Sequence, residues 1–272
     1  MEFERTTVTV AGQRPVRLSV IDYGPTAGAS RGTLVMVHGA GGDAMQWKHQ
    51  IAYFGAHYRV IAADLRGHGL SEAPRSTYSL EEFLWDFTQI IAHLHVDEPF
   101  TLMAHSFGGP IALTFSAAQP ERVNRLVLVA TAPEMHLSRS IELLLRLPLP
   151  LSALERARKT LFPKVRAPLF VIQRVLAGTL FPWRGWDLLP SIGVPTLILG
   201  GQFDFIVLAP TLQRMRSMMA NAQFELLRYT GHLPQLERPD SLNRHVEAFL
   251  QARRRSWRGA DEDEGSHHST LS

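Results

Sequence analysis

The sequence predicts an α/β fold built on a mostly parallel sheet. Short apolar runs rich in β-branched residues alternate with longer stretches of helical periodicity, which is the pattern of β-α-β units. The chain has 272 residues, of which 45% are hydrophobic and 19% charged, so it can bury a large core and differs from a disordered chain. We therefore expect a folded protein of one large domain or two small ones.

Eight runs are predicted as strands. The first two indicate an opening antiparallel pair, and the other six read as buried strands. The eight runs are residues 6–10, 16–21, 33–37, 58–63, 100–104, 125–130, 195–199 and 223–228. Helical periodicity predicts five helices, near residues 44–54, 80–95, 107–118, 208–219 and 240–254.

Residues 134–187 interrupt this alternation, because they read as several short amphipathic helices without a strand. We interpret them as a helical cap inserted after the sixth strand into a core formed by residues 1–133 and 188–258. The cap holds nine basic and four acidic residues, a surplus of five positive charges, which favours a solvated surface over contact with an anionic ligand or a membrane surface. The tail, residues 259–272, lacks periodicity and is predicted to be disordered.

Composition excludes several classes of function. Twenty-eight Lys and Arg against 25 Asp and Glu leave a dispersed charge of +3, which does not indicate nucleic-acid binding. The absence of cysteine removes disulfides and thiolate metal sites, and no metal or other cofactor is expected. The longest apolar stretch, residues 141–151, is interrupted by Arg146 and two prolines, so no transmembrane helix is predicted. With no secretory signal at the start, we expect a cytoplasmic protein; its oligomeric state is left open.

A serine follows the predicted strand 100–104 and precedes a helical pattern. Ser106 has Ala104 and Gly108 two positions to either side, which matches the G-x-S-x-G nucleophile elbow with alanine at the first glycine. Small neighbours are needed there because strand and helix approach each other closely. The alternative is a serine that caps a helix after a strand.

A serine nucleophile requires a base, and the base requires an orienting acid. Asp204 lies just past the seventh predicted strand and His232 just past the eighth, in the chain order serine, acid, histidine. All three positions lie at the carboxyl ends of strands, where open α/β sheets bind ligands. The sequence therefore predicts that Ser106, Asp204 and His232 form a catalytic triad.

A glycine-rich turn, residues 38–42, follows the third predicted strand. Such a turn can supply a backbone donor for the oxyanion that develops in acyl transfer. The expected donors are the N–H groups of Ala40 and of Phe107, the residue after the nucleophile. A phosphate loop is excluded because G-x-G-x-x-G and its lysine are missing. His38 and His105 are interpreted as structural residues.

These motifs together resemble the α/β-hydrolase fold family over nearly all of residues 6–254. Two further runs carry the likeness: the D-x-R-G-x-G-x-S turn at residues 64–71, whose Asp64, Arg66 and His68 are expected to be scaffold residues, and the histidine loop at residues 231–239. The resemblance implies an eight-stranded sheet, a cap after the sixth strand and a serine hydrolase. Because serine replaces the aspartate of haloalkane dehalogenases and epoxide hydrolases, the resemblance disfavours alkyl-enzyme chemistry.

Some family members take their acid from just after the sixth strand, where this chain offers Glu134 as the competitor of Asp204. The apolar cap favours a small-molecule ester or thioester substrate with a mostly apolar acyl group. C–C bond hydrolysis, peracid formation and lactone or amide hydrolysis on the same triad remain open, as does a ligand-binding protein without catalysis.

Overall fold

The structure, a computed structural model, describes residues 2–12, 14–25, 30–135, 155 and 165–252. Most of the predicted cap and the whole predicted tail, residues 259–272, lie outside the described residues. The division into core, cap and tail therefore stays a prediction.

Eight strands form a single sheet, as the sequence predicts. They are β1 Thr6–Val10, β2 Val16–Tyr23, β3 Thr33–Val37, β4 Arg59–Ala63, β5 Phe100–His105, β6 Val123–Val129, β7 Thr196–Gly201 and β8 Ala222–Leu227. Their order is β1-β2-β4-β3-β5-β6-β7-β8. β2 runs antiparallel to both β1 and β4, and every other pair is parallel.

Seven α-helices are formed by the described residues. They are α1 Lys48–Phe54, α2 Leu80–His93, α3 Gly108–Ala118, α4 Leu169–Arg174, α5 Ala209–Ser217, α6 Pro234–Glu237 and α7 Pro239–Gln251. A 3₁₀ turn, Ala44–Trp47, precedes α1, and a π-helical turn, Val175–Leu180, continues α4. Within the described ranges, no helix is both long and apolar enough to cross a membrane.

The expectation that the eighth strand is buried is wrong. β8 lies at the edge of the sheet and pairs only with β7, so much of its surface faces solvent: Gln223, Glu225 and Leu226 are exposed, while Ala222 and Leu227 are buried. An edge strand has a neighbouring strand on one side only, which accounts for this exposure. The central strands β3 and β5 are almost entirely buried, as expected.

Side chains of the turn after β4 form hydrogen bonds with the segments around it. The buried Asp64 carboxylate accepts hydrogen bonds from the backbone N–H groups of Ala44 (2.7 Å) and Leu70 (2.8 Å). The Arg66 guanidinium donates two hydrogen bonds of 2.6 Å to Asp86 on α2. These contacts hold the start of α1 and the body of α2 against the carboxyl ends of β3 and β4.

Candidate active site

Ser106 occupies a strained turn at the carboxyl end of β5. Its φ is +48°, in the left-handed region that non-glycine residues rarely adopt. Hydrogen bonds on both sides maintain this conformation: the Ser106 N–H donates to the Val129 carbonyl (3.0 Å), and the Thr131 hydroxyl donates to the Ser106 carbonyl (2.7 Å). The side chain sits at the top of the sheet, with only 8% of the residue exposed.

Glycine at position 108 permits the close approach of α3 to β3. A Cβ atom at this position would lie 2.7 Å from the carbonyl oxygen of Val37 and 3.2 Å from that of His38. The first of these distances is shorter than a carbon–oxygen contact allows. The requirement for a small residue two positions after Ser106 thus has a direct cause in the packing of the elbow on the end of β3.

A chain of hydrogen bonds joins the three predicted residues. The Ser106 Oγ lies 3.0 Å from His232 Nε2, and His232 Nδ1 lies 2.8 Å from Asp204 Oδ2. With Nδ1 donating to the carboxylate, Nε2 is left to accept the hydroxyl proton. The three residues are 98 and 28 positions apart in the chain, and they meet because each follows a strand that ends at the same edge of the sheet.

Asp204 is held as a carboxylate. Burial would raise its pKa, but the hydrogen bond and charge of His232 and the backbone N–H groups of Val207 and Ile206 outweigh burial, so the pKa of Asp204 is lowered below its usual value. Those N–H groups donate to Oδ1 at 3.0 and 2.8 Å, which leaves Oδ2 for His232. The competing acid, Glu134, instead forms an ion pair of 3.2 Å with Arg184.

The glycine-rich loop after β3 forms a tight turn. The Gly42 N–H donates to the Gly39 carbonyl (3.1 Å), and Gly41 has a φ of +73°, a conformation that a residue with a side chain would adopt under strain. Neither the Ala40 N–H nor the Phe107 N–H donates a hydrogen bond to any residue that the structure describes. Among the described residues, therefore, nothing accepts a hydrogen bond from either predicted oxyanion donor.

Burial lowers the pKa of two histidines near the site. His105 is buried beside His232, and burial, assisted by the charge of His232, lowers the pKa of His105 to about 3. Burial also lowers the pKa of His38. His38 Nδ1 donates to the Gly39 carbonyl (2.8 Å) and its Nε2 accepts from the Leu65 N–H (3.0 Å), so this side chain connects two loops.

Two side chains hold the backbone around His232, and sequence reasoning assigned this contact to neither. The Glu237 carboxylate accepts hydrogen bonds from the N–H groups of Gly231 (2.5 Å) and Leu233 (3.1 Å), on either side of the histidine. His105 Nε2 donates to the His232 carbonyl (2.8 Å). The sequence signal for Glu237 was its place in the histidine loop, five residues after His232. No local pattern indicates the contact of His105.

No group of three or more His, Asp or Glu side chains within the described ranges is arranged to hold a metal ion.

Comparison with known proteins agrees with the fold. Residues 34–245 match the model of the alpha/beta hydrolase family. The (E)-2-((N-methylformamido)methylene)succinate hydrolase of Acinetobacter baylyi is 28% identical over 240 residues, covering 80% of this chain and 90% of that one.

Two solved structures share the architecture. A thermophilic esterase from Thermogutta terrifontis superposes with a TM-score of 0.75 at 24% identity, covering 91% of this chain and 98% of its own. The enol-lactonase from Burkholderia xenovorans superposes with a TM-score of 0.76 at 22% identity, covering 87% of this chain and 97% of its own. The family match spans most of the chain and every element that positions Ser106, Asp204 and His232, and the protein belongs to the alpha/beta hydrolase family.

Proposed function

We propose that this protein is a serine hydrolase that cleaves a carboxylic ester or thioester with a mostly apolar acyl group through an acyl-enzyme intermediate. The observation that carries the proposal is the continuous hydrogen-bonded chain from Ser106 Oγ through His232 to Asp204. A serine hydroxyl is a poor nucleophile at neutral pH unless an oriented base accepts its proton.

In the first half-reaction, Ser106 Oγ attacks the carbonyl carbon while His232 Nε2 takes the hydroxyl proton. The imidazolium then gives this proton to the leaving alcohol or thiol as the tetrahedral intermediate collapses. Asp204 keeps the proton of His232 on Nδ1 and stabilises the positive charge of the ring. In the second half-reaction, His232 takes a proton from water, which hydrolyses the acyl-enzyme.

The negative charge on the carbonyl oxygen is stabilised by the N–H groups of Ala40 and Phe107. Both are free of partners among the described residues, which supports their assignment as the oxyanion hole. Removing one donor of this kind typically costs about 2.7–4 kcal/mol of transition-state stabilisation. The turn geometry at Gly41 keeps the first donor in place before substrate arrives.

The surroundings of the oxyanion loop support an apolar acyl group. A methyl group on Gly41 would lie 3.5 Å from Val165 Cγ1 and 3.9 Å from Ile172 Cδ1, so aliphatic side chains of the predicted cap pack over this loop. Phe170 and Trp183 extend the same hydrophobic cluster. The relatives are named as an esterase, an enol-lactonase and a hydrolase of a succinate derivative, so their names do not specify one substrate class. The apolar contacts of this chain favour a simple ester or thioester.

The first test is labelling with a fluorophosphonate probe. Wild-type protein should be labelled and Ser106→Ala should not, because the probe reacts only with an activated serine. Ser106→Ala that retains more than about a tenth of wild-type kcat/KM, a loss below about 1.4 kcal/mol, would exclude Ser106 as the nucleophile. Circular dichroism of both proteins provides the control for folding.

The second test is a series of p-nitrophenyl esters. For an apolar acyl site, kcat/KM should rise as the acyl chain lengthens from about two to about six carbons, by up to about 0.8 kcal/mol per buried CH₂. Salt should change these rates little, since apolar burial is not screened. A flat chain-length profile contradicts the apolar site, and a faster reaction with a meta-cleavage diketone would assign C–C bond hydrolysis instead.

A further inference from the structure

A cavity lies beside the candidate active site. It has a volume of about 570 Å³ and lies between the two loops that flank Ser106: Gly42 of the oxyanion loop lines one side, and Leu233, the residue after His232, lines another. Ligand sites in proteins have volumes of about 300–1,000 Å³. The volume of the cavity falls in this range, and Gly42 and Leu233 place it next to the loops that carry Ala40 and His232; Ser106 itself does not line it.

The charged side chains that line this cavity carry a surplus of positive charge. They are Lys48, Arg166 and Asp43. Asp43 is already engaged, since its Oδ1 accepts the Met45 N–H (3.0 Å) and its Oδ2 pairs with Arg166 Nε at 3.6 Å.

Lys48 is the charge without a counterpart. Its side chain is half-buried at the start of α1, and none of the described residues forms an ion pair with its ammonium group. The acid of the histidine loop, Glu237, accepts hydrogen bonds from the two backbone N–H groups that flank His232. A cation that is partly removed from water gains from an anionic partner, and this cavity is the space in which Lys48 could bind one.

Two adjacent residues of the oxyanion loop therefore have different surroundings. Aliphatic side chains pack over Gly41, whereas Gly42 borders the basic cavity. An anion would be desolvated without compensation in the apolar part. The cavity beside Gly42 contains the cationic side chains, so an anionic part of a substrate has its partners there, although three apolar side chains also line this cavity: Met45, Leu233 and Leu236.

We propose that the basic cavity binds an anionic oxygen group, a carboxylate or a phosphate, on the leaving-group side of the substrate, with Lys48 as its main contact. This inference rests on the proposed function and narrows it: the substrate has an apolar acyl part and an anionic alcohol or thiol part. Lys48 determines specificity and takes no part in the proton transfers.

The test compares matched esters. The substrates are 4-carboxyphenyl butyrate and 4-phosphonooxyphenyl butyrate, each set against 4-carbamoylphenyl butyrate, whose neutral group has the shape of the carboxylate. Lys48→Met removes the charge and keeps most of the length of the side chain. Arg31→Met is the control, because it removes one exposed positive charge just before the amino end of β3, at the opposite edge of the sheet.

In wild-type protein, at least one of the anionic esters should have a higher kcat/KM than the carbamoyl ester. Lys48→Met should lower that ratio about tenfold, chiefly through KM, and Arg31→Met should leave it unchanged. Raising NaCl from about 0.05 M to about 0.5 M should weaken the preference in wild-type protein. The anionic ester whose advantage depends on Lys48 shows whether the cavity binds a carboxylate or a phosphate.

A ratio that is equal in wild-type protein and Lys48→Met would overturn the inference, even if all esters are cleaved and the proposed function holds. If none of the esters is cleaved, the proposed ester hydrolysis fails, and calorimetric binding of 4-hydroxybenzoate, 4-hydroxyphenyl phosphate and 4-hydroxybenzamide then tests the cavity. Tighter binding of either anion, reduced by Lys48→Met, supports the cavity. Equal binding of all three by wild-type protein overturns it.

Discussion

Acid should destabilise this protein well before its carboxylates titrate. His68 and His105 are buried, and burial is the main cause that lowers the pKa of each to about 3. In the unfolded chain each histidine binds a proton at a pKa of about 6.5. As the pH falls below about 6.5, the unfolded state therefore gains protons that the folded state does not, and the free energy of unfolding decreases until the pH reaches about 3.

The size of the effect follows from these values. Between pH 7 and pH 5, a histidine whose pKa falls from about 6.5 to about 3 on folding costs about 2 kcal/mol of stability, and the pair about 4 kcal/mol. His38, with its pKa also lowered by burial, acts in the same direction. The pKa of Asp204 is also lower in the folded state than in the unfolded chain, so acid destabilises the protein through this group as well. That loss begins only when the pH falls below the usual pKa of an aspartate, which lies outside this window.

The assay is urea unfolding at about 25 °C, followed by tryptophan fluorescence at pH 7, 6 and 5. His68→Gln should reduce the loss of stability across this range by about 2 kcal/mol, because one of the buried titrating groups is gone. His57→Gln, which removes an exposed histidine, is the control. A free energy of unfolding that does not change from pH 7 to pH 5, or the same loss in wild-type protein and His68→Gln, would refute the reasoning.

Three further substitutions test the site. Asp204→Asn should lower kcat by about 10³–10⁴-fold with normal folding, since the amide favours the wrong tautomer of the histidine, whereas Glu134→Gln should stay close to wild type; the reverse result in steady-state kinetics would transfer the role of the acid. Gly108→Ala should lower both the melting temperature and the labelling rate of Ser106, because its methyl group collides with the Val37 carbonyl; unchanged values would contradict the elbow packing. Glu237→Gln should lower kcat about tenfold at constant KM, because the N–H groups of Gly231 and Leu233 donate to different carboxylate oxygens and the amide replaces one of these acceptors with an NH₂ donor; the control Glu247→Gln should be normal.

The sequence was informative wherever the signal is local. Short apolar runs, separated by stretches of helical periodicity, predicted all eight strands, with bounds that agree to within two residues. This works because the burial of a strand determines the residue types at consecutive positions. The prediction that Ser106 is the nucleophile rests on the same kind of signal: its small neighbours, its strand and its helix are contiguous in the chain. The short helix α6, four residues long, carries too little periodicity to be predicted.

The order of the strands and the partners of the site depend on distant contacts. Nothing local places β3 between β4 and β5 or β8 at the exposed edge, since pairing is chosen by the packing of the whole sheet. The sequence offered two acids for His232, and the fold brings Asp204 to Nδ1 while Arg184 pairs with Glu134. The contacts of Glu237 and the proposed role of Lys48 follow only from the positions of the loops in the folded structure. Hydrogen bonds and cavities join residues that are far apart in the chain, and their geometry arises when the strands converge at one edge of the sheet.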